Sequence, residues 1–197
     1  MLGALKVYWD SFIMLFVVFD AIGNAPVFYV LTKDLSEGKR HQVFRKSVVV
    51  AGLLLLFFMF AGVPFLEYYG VTLNDFRIAG GILLLLLAIE GVLGKVEAQL
   101  IRSEDIAIVP MATPLLAGPG SIYTVMYLNS VYGASPTLVS ILLNILVTWI
   151  VLKYSDFLLT KLGRNVLLVL SRLMAFLLAV IAVTMLRQGI EGFLKSI

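Results

Sequence analysis

Two short stretches of the chain carry residues that could do chemistry. The first runs Asp20-Ala21-Ile22-Gly23-Asn24-Ala25-Pro26, and the second runs Thr113-Pro114-Leu115-Leu116-Ala117-Gly118-Pro119-Gly120-Ser121. Each sets glycine and proline inside an otherwise apolar run. A proline removes one backbone donor and disfavours helical backbone at the residue before it, while glycine tolerates whatever the chain then needs. Each run is therefore expected to break a helix into two halves, with the second halves starting near Asn24 and Ser121, both good N-cap types. Free amides and a positive dipole end at such a start suit an anion, and two of them converging make a small site for a carboxylate. Asp20, at the C-terminal end of the first half-helix, faces a negative dipole end and suits an ammonium group or a coupling proton. The expected solute contacts are Asp20, Gly23, Asn24, Ala25, Pro26, Thr113, Leu116, Ala117, Gly118, Pro119, Gly120 and Ser121. The plainer alternatives are that the glycines and prolines only kink or pack helices, and that Asp20 is a structural acid paired with Arg77 or Arg172.

Other chemistries find no residues. Cysteine is absent and His41 is the single histidine, so no thiolate site, cysteine nucleophile or histidine cluster can be built. Neither an H-E-x-x-H motif nor a G-x-x-x-x-G-K-[ST] loop occurs. A net charge of +3 is too weak an excess for a nucleic-acid binder. No enzyme activity, cofactor or metal is expected.

The elements that must position the two stretches are membrane helices. Of 197 residues 61% are apolar and 14% charged, far from the roughly 25% charged residues of soluble domains, and the mean hydropathy is +1.03. Twenty uncharged residues separate Lys46 from Glu67, enough for one span. The 47 uncharged residues from Ile106 to Leu152 are too long for one and make two, with a turn at Tyr132-Gly133-Ala134-Ser135-Pro136. Further spans read from Val7 to Leu31, Leu73 to Val92 and Val166 to Arg187, six in all. The first is read as a retained helix rather than a signal peptide. Counted at about 1.5 Å per residue from Tyr8 or Ile106, Asp20 and Gly118 both fall about 18 Å in, near the bilayer midplane.

The connections after spans one, three and five hold Lys33, Lys39, Arg40, Arg45, Lys46, Lys95, Arg102, Lys153, Lys161 and Arg164, against Lys6, Arg77, Arg187 and Lys195 opposite. That asymmetry places the odd connections in the cytoplasm and both termini outside. The run from Lys33 to Lys46 reads as a solvated loop. Tyr8, Trp9, Tyr68, Tyr69, Tyr123, Tyr127, Tyr132, Trp149 and Tyr154 read as an interfacial belt, and Arg77 and Arg172 as either snorkelling or functional cations.

Shifted by 95 residues, the sequence superposes Asp10 on Asp105, Gly23 on Gly118, Gly38 on Gly133, Arg77 on Arg172 and Gly94 on Gly189. Three spans per half put the second copy into the membrane from the opposite face. The expected fold is thus an all-α integral membrane protein, one membrane domain over 1–197, with six transmembrane helices in two inverted three-helix repeats (about 7–93 and 104–192) and helices 1 and 4 broken at the midplane.

The segments Asp20 to Pro26, Pro114 to Gly120 and Arg77-Ile78-Ala79-Gly80-Gly81 resemble the MarC family of prokaryotic integral membrane proteins, over essentially the whole chain. The resemblance implies a six-helix protein of the cytoplasmic membrane, similar to members that carry small neutral amino acids such as glycine or alanine. Ala21 departs from the proline that commonly follows the acid in that family, which implies a later or softer break in helix 1. Together these readings predict a secondary transporter of small neutral amino acids working by alternating access. Its partners are that solute, a coupling proton or sodium ion and the lipid bilayer. A channel or exporter for another small solute is the alternative, and a packing or regulatory subunit a further one.

Overall fold

A computed structural model of the protein describes residues 2–32, 34–93 and 107–195. Among the described residues every regular element is helical: α1 (Leu2–Phe19), α2 (Ala21–Thr32), α3 (Glu37–Tyr68), α4 (Leu73–Leu93), a π-helical segment (Ala107–Leu116), α5 (Pro119–Tyr132), α6 (Ala134–Lys153) and α7 (Ser155–Leu194). Four stretches are each long and apolar enough to cross a bilayer alone: α3, α4, α6 and the Arg172–Leu194 part of α7. Only 22–39% of these spans is buried inside the protein. Their outer faces carry Leu53, Phe57, Phe60, Leu142, Phe176 and Val183, a surface that water would penalise and hydrocarbon accepts. The protein is a multi-pass integral membrane protein.

Helix ends follow local chemistry. Before α4, Thr72 and Asp75 form a reciprocal cap: the Thr72 amide and hydroxyl donate to Asp75 Oδ2 at 2.9 and 2.6 Å, and the Asp75 amide donates to Thr72 Oγ1 at 3.1 Å. Between α5 and α6 the turn is made by Gly133 at φ 83, a left-handed conformation that glycine adopts without strain. Two helices extend further than the apolar spans do. The run from Lys33 to Lys46 is no loop from Glu37 onward but the first turns of α3, and His41 lies there with Nε2 3.8 Å from Glu37 Oε1. Likewise α7 begins at Ser155, so Lys161 and Arg164 are helical. Hydropathy marks where the hydrocarbon lies, whereas a helix runs on until a cap or breaker stops it.

One core joins the two halves of the chain: Leu15, Phe19, Phe28, Leu55, Met111, Leu116, Leu128 and Ile141 are all fully buried in one cluster. A second, smaller cluster of Leu84, Tyr123, Ala182 and Met185 lies between α4, α5 and α7. The most extensive pairing is α4 with α7, and it depends on small residues. A Cβ on Gly81 would lie 2.9 Å from Leu186 Cγ, one on Gly91 2.8 Å from Ala175 Cβ and one on Gly189 2.7 Å from Ile78 Cγ1. Without a hydrophobic drive between helices in lipid, such close approach is what holds them. Elsewhere α1 packs on α5 and α6, the π segment on α3, α2 on α6 and α7, and α5 on α3 and α4.

Of the residue pairs related by the 95-residue shift, Asp10 with Asp105 and Gly94 with Gly189 involve positions outside the described residues. Gly38 and Gly133 are not equivalent in conformation, because Gly38 lies in the first turn of α3 and Gly133 precedes α6 at positive φ.

Candidate functional site

The first interruption is a single residue. The chain leaves α1 at Phe19, Asp20 takes φ 46, and α2 begins at Ala21. Left-handed backbone costs an L-residue roughly 1–2 kcal/mol, and Asp and Asn bear it best. The Asp20 amide donates to Phe16 O at 3.1 Å, and its carbonyl accepts from the Asn24 amide at 3.0 Å. Its carboxylate accepts from the Gly23 amide at 3.0 Å, which is an N-cap on α2. A Cβ at Gly23 would overlap that carboxylate, so the acid and the glycine three residues on form a unit.

These contacts correct two expectations. The second half-helix starts at Ala21, not near Asn24, and Pro26 lies inside it rather than ending it. Asp20 lies at the N-terminal end of α2 as well as the C-terminal end of α1, and its carboxyl oxygen accepts from the Gly23 amide. It does not pair with Arg77 or Arg172: Arg77 bonds Tyr123 and Asn74, and Arg172 is exposed. Asp20 is 6% exposed.

At the second interruption the chain runs as a π helix to Leu116, and the Ala117 amide donates to Ala112 O at 2.8 Å, a wider turn than α. Gly118 is extended (φ −84, ψ 176) and Pro119 opens α5 at the position where proline is favoured. The Ser121 hydroxyl donates back to Leu116 O at 2.8 Å, and the Ile122 amide to Gly118 O at 3.0 Å. Unlike α2, α5 has no side-chain cap on its first amides. The two N-termini are therefore unequal: one holds its own carboxylate, and the other is open. The π form of the first half is a feature the sequence reading missed.

Asn24 joins the two interruptions. Its Nδ2 donates, at the long distances of 3.5 and 3.4 Å, to Phe19 O at the end of α1 and to Leu115 O near the end of the π segment. Both acceptors are carbonyls near a helix end, where partners inside the helix run out. Ala25, Leu116, Ala117, Gly118, Gly120 and Ser121 are buried around this junction, and Gly23 and Thr113 are half-buried. Gly120 is closely packed, because a Cβ there would overlap Leu84 and come within 2.8 Å of Val18 Cγ1.

Beside the junction a cavity of about 310 Å³ opens between α1, α5 and α7. Its wall includes Val17 and Val18, Tyr123, Thr124 and Tyr127, and Gln188. Val18 also lies against the Gly120 position, but none of the expected solute contacts, from Asp20 to Pro26 or from Thr113 to Ser121, lines this cavity. Tyr123 and Tyr127 are not belt residues. Their rings stack at 5.9 Å and 26°, and Arg77 lies over both with Cζ 5.4 and 5.7 Å from the ring centroids while its Nε donates to the Tyr123 hydroxyl. The signal for these residues was present in the sequence. Tyrosines four apart share a helix face, so one packed face takes both rings. Trp9, Tyr68, Tyr69 and Tyr154 are exposed, as a belt requires.

A multi-pass membrane protein, helical throughout its described residues, in which Asn24 bridges two helix interruptions, is the class that fold and site define. The family described as MarC family integral membrane protein matches residues 5–194. A UPF0056 membrane protein of Methanocaldococcus jannaschii is 36% identical over 93% of this chain and 96% of its own. One of Pyrococcus abyssi is 32% identical over 98% of each chain, and the UPF0056 membrane protein YvbG of Bacillus subtilis is 30% identical over 92% of each. The chain belongs to the MarC family. No solved structure matches it.

Proposed function

We infer that the protein is a secondary transporter of small neutral amino acids of the glycine and alanine class, residing in the cytoplasmic membrane and driven by a proton or sodium gradient. The carrying observation is the junction itself: two helix interruptions from different halves of the chain, bridged by Asn24 to the carbonyl of Leu115. Interrupted helices paired in this way are where many secondary transporters hold solute and coupling ion. The amides at the start of α5, which Gly118 gives no side-chain cap, suit the carboxylate of an amino acid. This is a carrier's chemistry and calls for no catalytic group.

The reading takes α1 with α2, α3, α4, the π segment with α5, α6, and α7 as six spans in two inverted repeats. Helix packing supports it. Exchanging the halves turns the α1–α6 contact into that of the π segment with α3, α3–α5 into α6–α2, and α4–α5 into α7–α2, while α4–α7 and α3–α6 map onto themselves. A carrier is favoured over a channel because Phe19, Phe28, Met111 and Leu116 pack fully buried in the core that joins the two halves.

Uptake of labelled glycine and alanine into proteoliposomes, with and without an imposed proton or sodium gradient, tests the function. Saturable uptake with counterflow is expected; flux that neither saturates nor shows counterflow would mean a channel, and no flux at all would end the transport reading. The topology has its own test in a chain without native cysteine. Lys39→Cys is expected to react with an impermeant maleimide only from the cytoplasmic side, and labelling from outside alone would invert the orientation.

A further inference from the structure

We propose that the cavity between α1, α5 and α7 is a binding site for a small monocarboxylate with an apolar body, in which the Tyr123 hydroxyl donates to the carboxylate and Arg77 positions and polarises that hydroxyl. The transporter reading supplies the site's purpose, a place where solute dwells before reaching the junction, but its chemistry is independent of that reading.

Arg77 is a half-buried cation within a membrane-spanning helix, and among the described residues its partners are all neutral: Tyr123 Oη, Asn74 Oδ1 at 3.3 Å from Nη1, and the faces of Tyr123 and Tyr127. A cation in that setting ordinarily has an anion near it. The Tyr123 oxygen accepts from the guanidinium, so its own proton is left to donate, and no acceptor takes it among the described residues. Tyr123 is 5% exposed and lines the cavity. A hydroxyl polarised by a cation in a low-dielectric site is a strengthened donor, and a carboxylate is the acceptor that also neutralises the charge behind it.

The rest of the wall selects the remainder of the ligand. Val17, Val18, Ile181 and Met185 offer apolar surface, and Gln188 supplies a polar group. No aspartate or glutamate lines the cavity among the described residues, so nothing there calls for an ammonium group. The volume, about 310 Å³, lies at the lower end for small-molecule sites and leaves room for a branched chain.

Calorimetric titration of the purified full-length protein in detergent, with leucine, 4-methylpentanoate (leucine without its amine) and isoamylamine (leucine without its carboxylate), tests the site. Leucine and 4-methylpentanoate are expected to bind comparably and isoamylamine not at all. Tyr123→Phe should weaken both carboxylates roughly tenfold to hundredfold, the worth of one charge-assisted hydrogen bond. Arg77→Gln should do the same, with partial recovery in Arg77→Lys. Val17→Phe fills the cavity while leaving Arg77 and Tyr123 in place, and should abolish binding of both. Isoamylamine binding as tightly as 4-methylpentanoate, wild-type affinity in Tyr123→Phe or Val17→Phe, or no carboxylate binding to the wild type would each overturn the proposal. Glycine flux in vesicles separates its fate from that of the transporter reading. Carboxylate binding without flux would leave this site and remove the carrier, whereas gradient-driven glycine uptake without carboxylate binding here would do the reverse.

Discussion

Gly120→Val is expected to lower stability by about 1–3 kcal/mol, the usual range for forcing extra carbon into a packed core, and to abolish transport. Its new side chain would collide with Leu84 and Val18, so both losses would appear together and the single variant cannot separate packing from solute binding. Leu84→Ala makes room. In the double variant the valine should occupy part of the space left by Leu84, and a double-mutant cycle should show a favourable coupling of about 1 kcal/mol or more, read by thermal or denaturant unfolding in detergent. Transport should stay lost in that repacked protein, because a β-branched side chain still covers the open amides at the start of α5. Recovery of both stability and uptake would show that this terminus does not meet the solute.

Asp20→Ala should cost about 2–3 kcal/mol, by removing the cap on the Gly23 amide, worth about 1, and by placing alanine at φ 46, worth about 1–2. Asp20→Asn keeps a capping oxygen and tolerates the same backbone, so its unfolding midpoint should stay close to the wild type. Transport is expected to part from stability in this variant. A carboxylate buried in a membrane protein and held by the Gly23 amide is suited to take up and release a cation during a transport cycle. The Asn variant should therefore exchange labelled for unlabelled glycine yet fail to accumulate it against a gradient. Normal accumulation would reduce Asp20 to a cap.

Glycine and proline in apolar runs marked the interruption at Gly118 and the turn at Gly133. What Asp20 does was not legible in the sequence. Proline is the strongest breaker signal in Asp20–Pro26, but α2 carries Pro26 within it at the loss of one amide. The break falls instead at the acid, because aspartate both caps a helix and bears a left-handed backbone. Two prolines four residues apart, Pro110 and Pro114, announce an irregular helix without saying that it widens to the π form. Tyr123 and Tyr127 were misplaced by residue type. Tyr123 lies only about 6 Å along the axis from Pro119, and it is buried beside Arg77 rather than exposed as a belt residue is. The pairing of Arg77 with Tyr123 spans 46 residues of sequence, and no local pattern announces it.

The contact of α4 with α7 bears on how the molecule can move. The positions where a Cβ would strike the partner run from Gly192 against Asn74 at one end to Gly91 against Ala175 at the other, about 25 Å along α4 if the helix is straight. Backbones that approach over such a length, with little side-chain cushion between them, have no slack for sliding or tilting relative to each other. A carrier built this way keeps α4 and α7 as a keel, one helix from each half of the chain. On the proposed alternating-access cycle, the strokes that open one side and shut the other would fall to α1, α2 and α5, which flank the two interruptions.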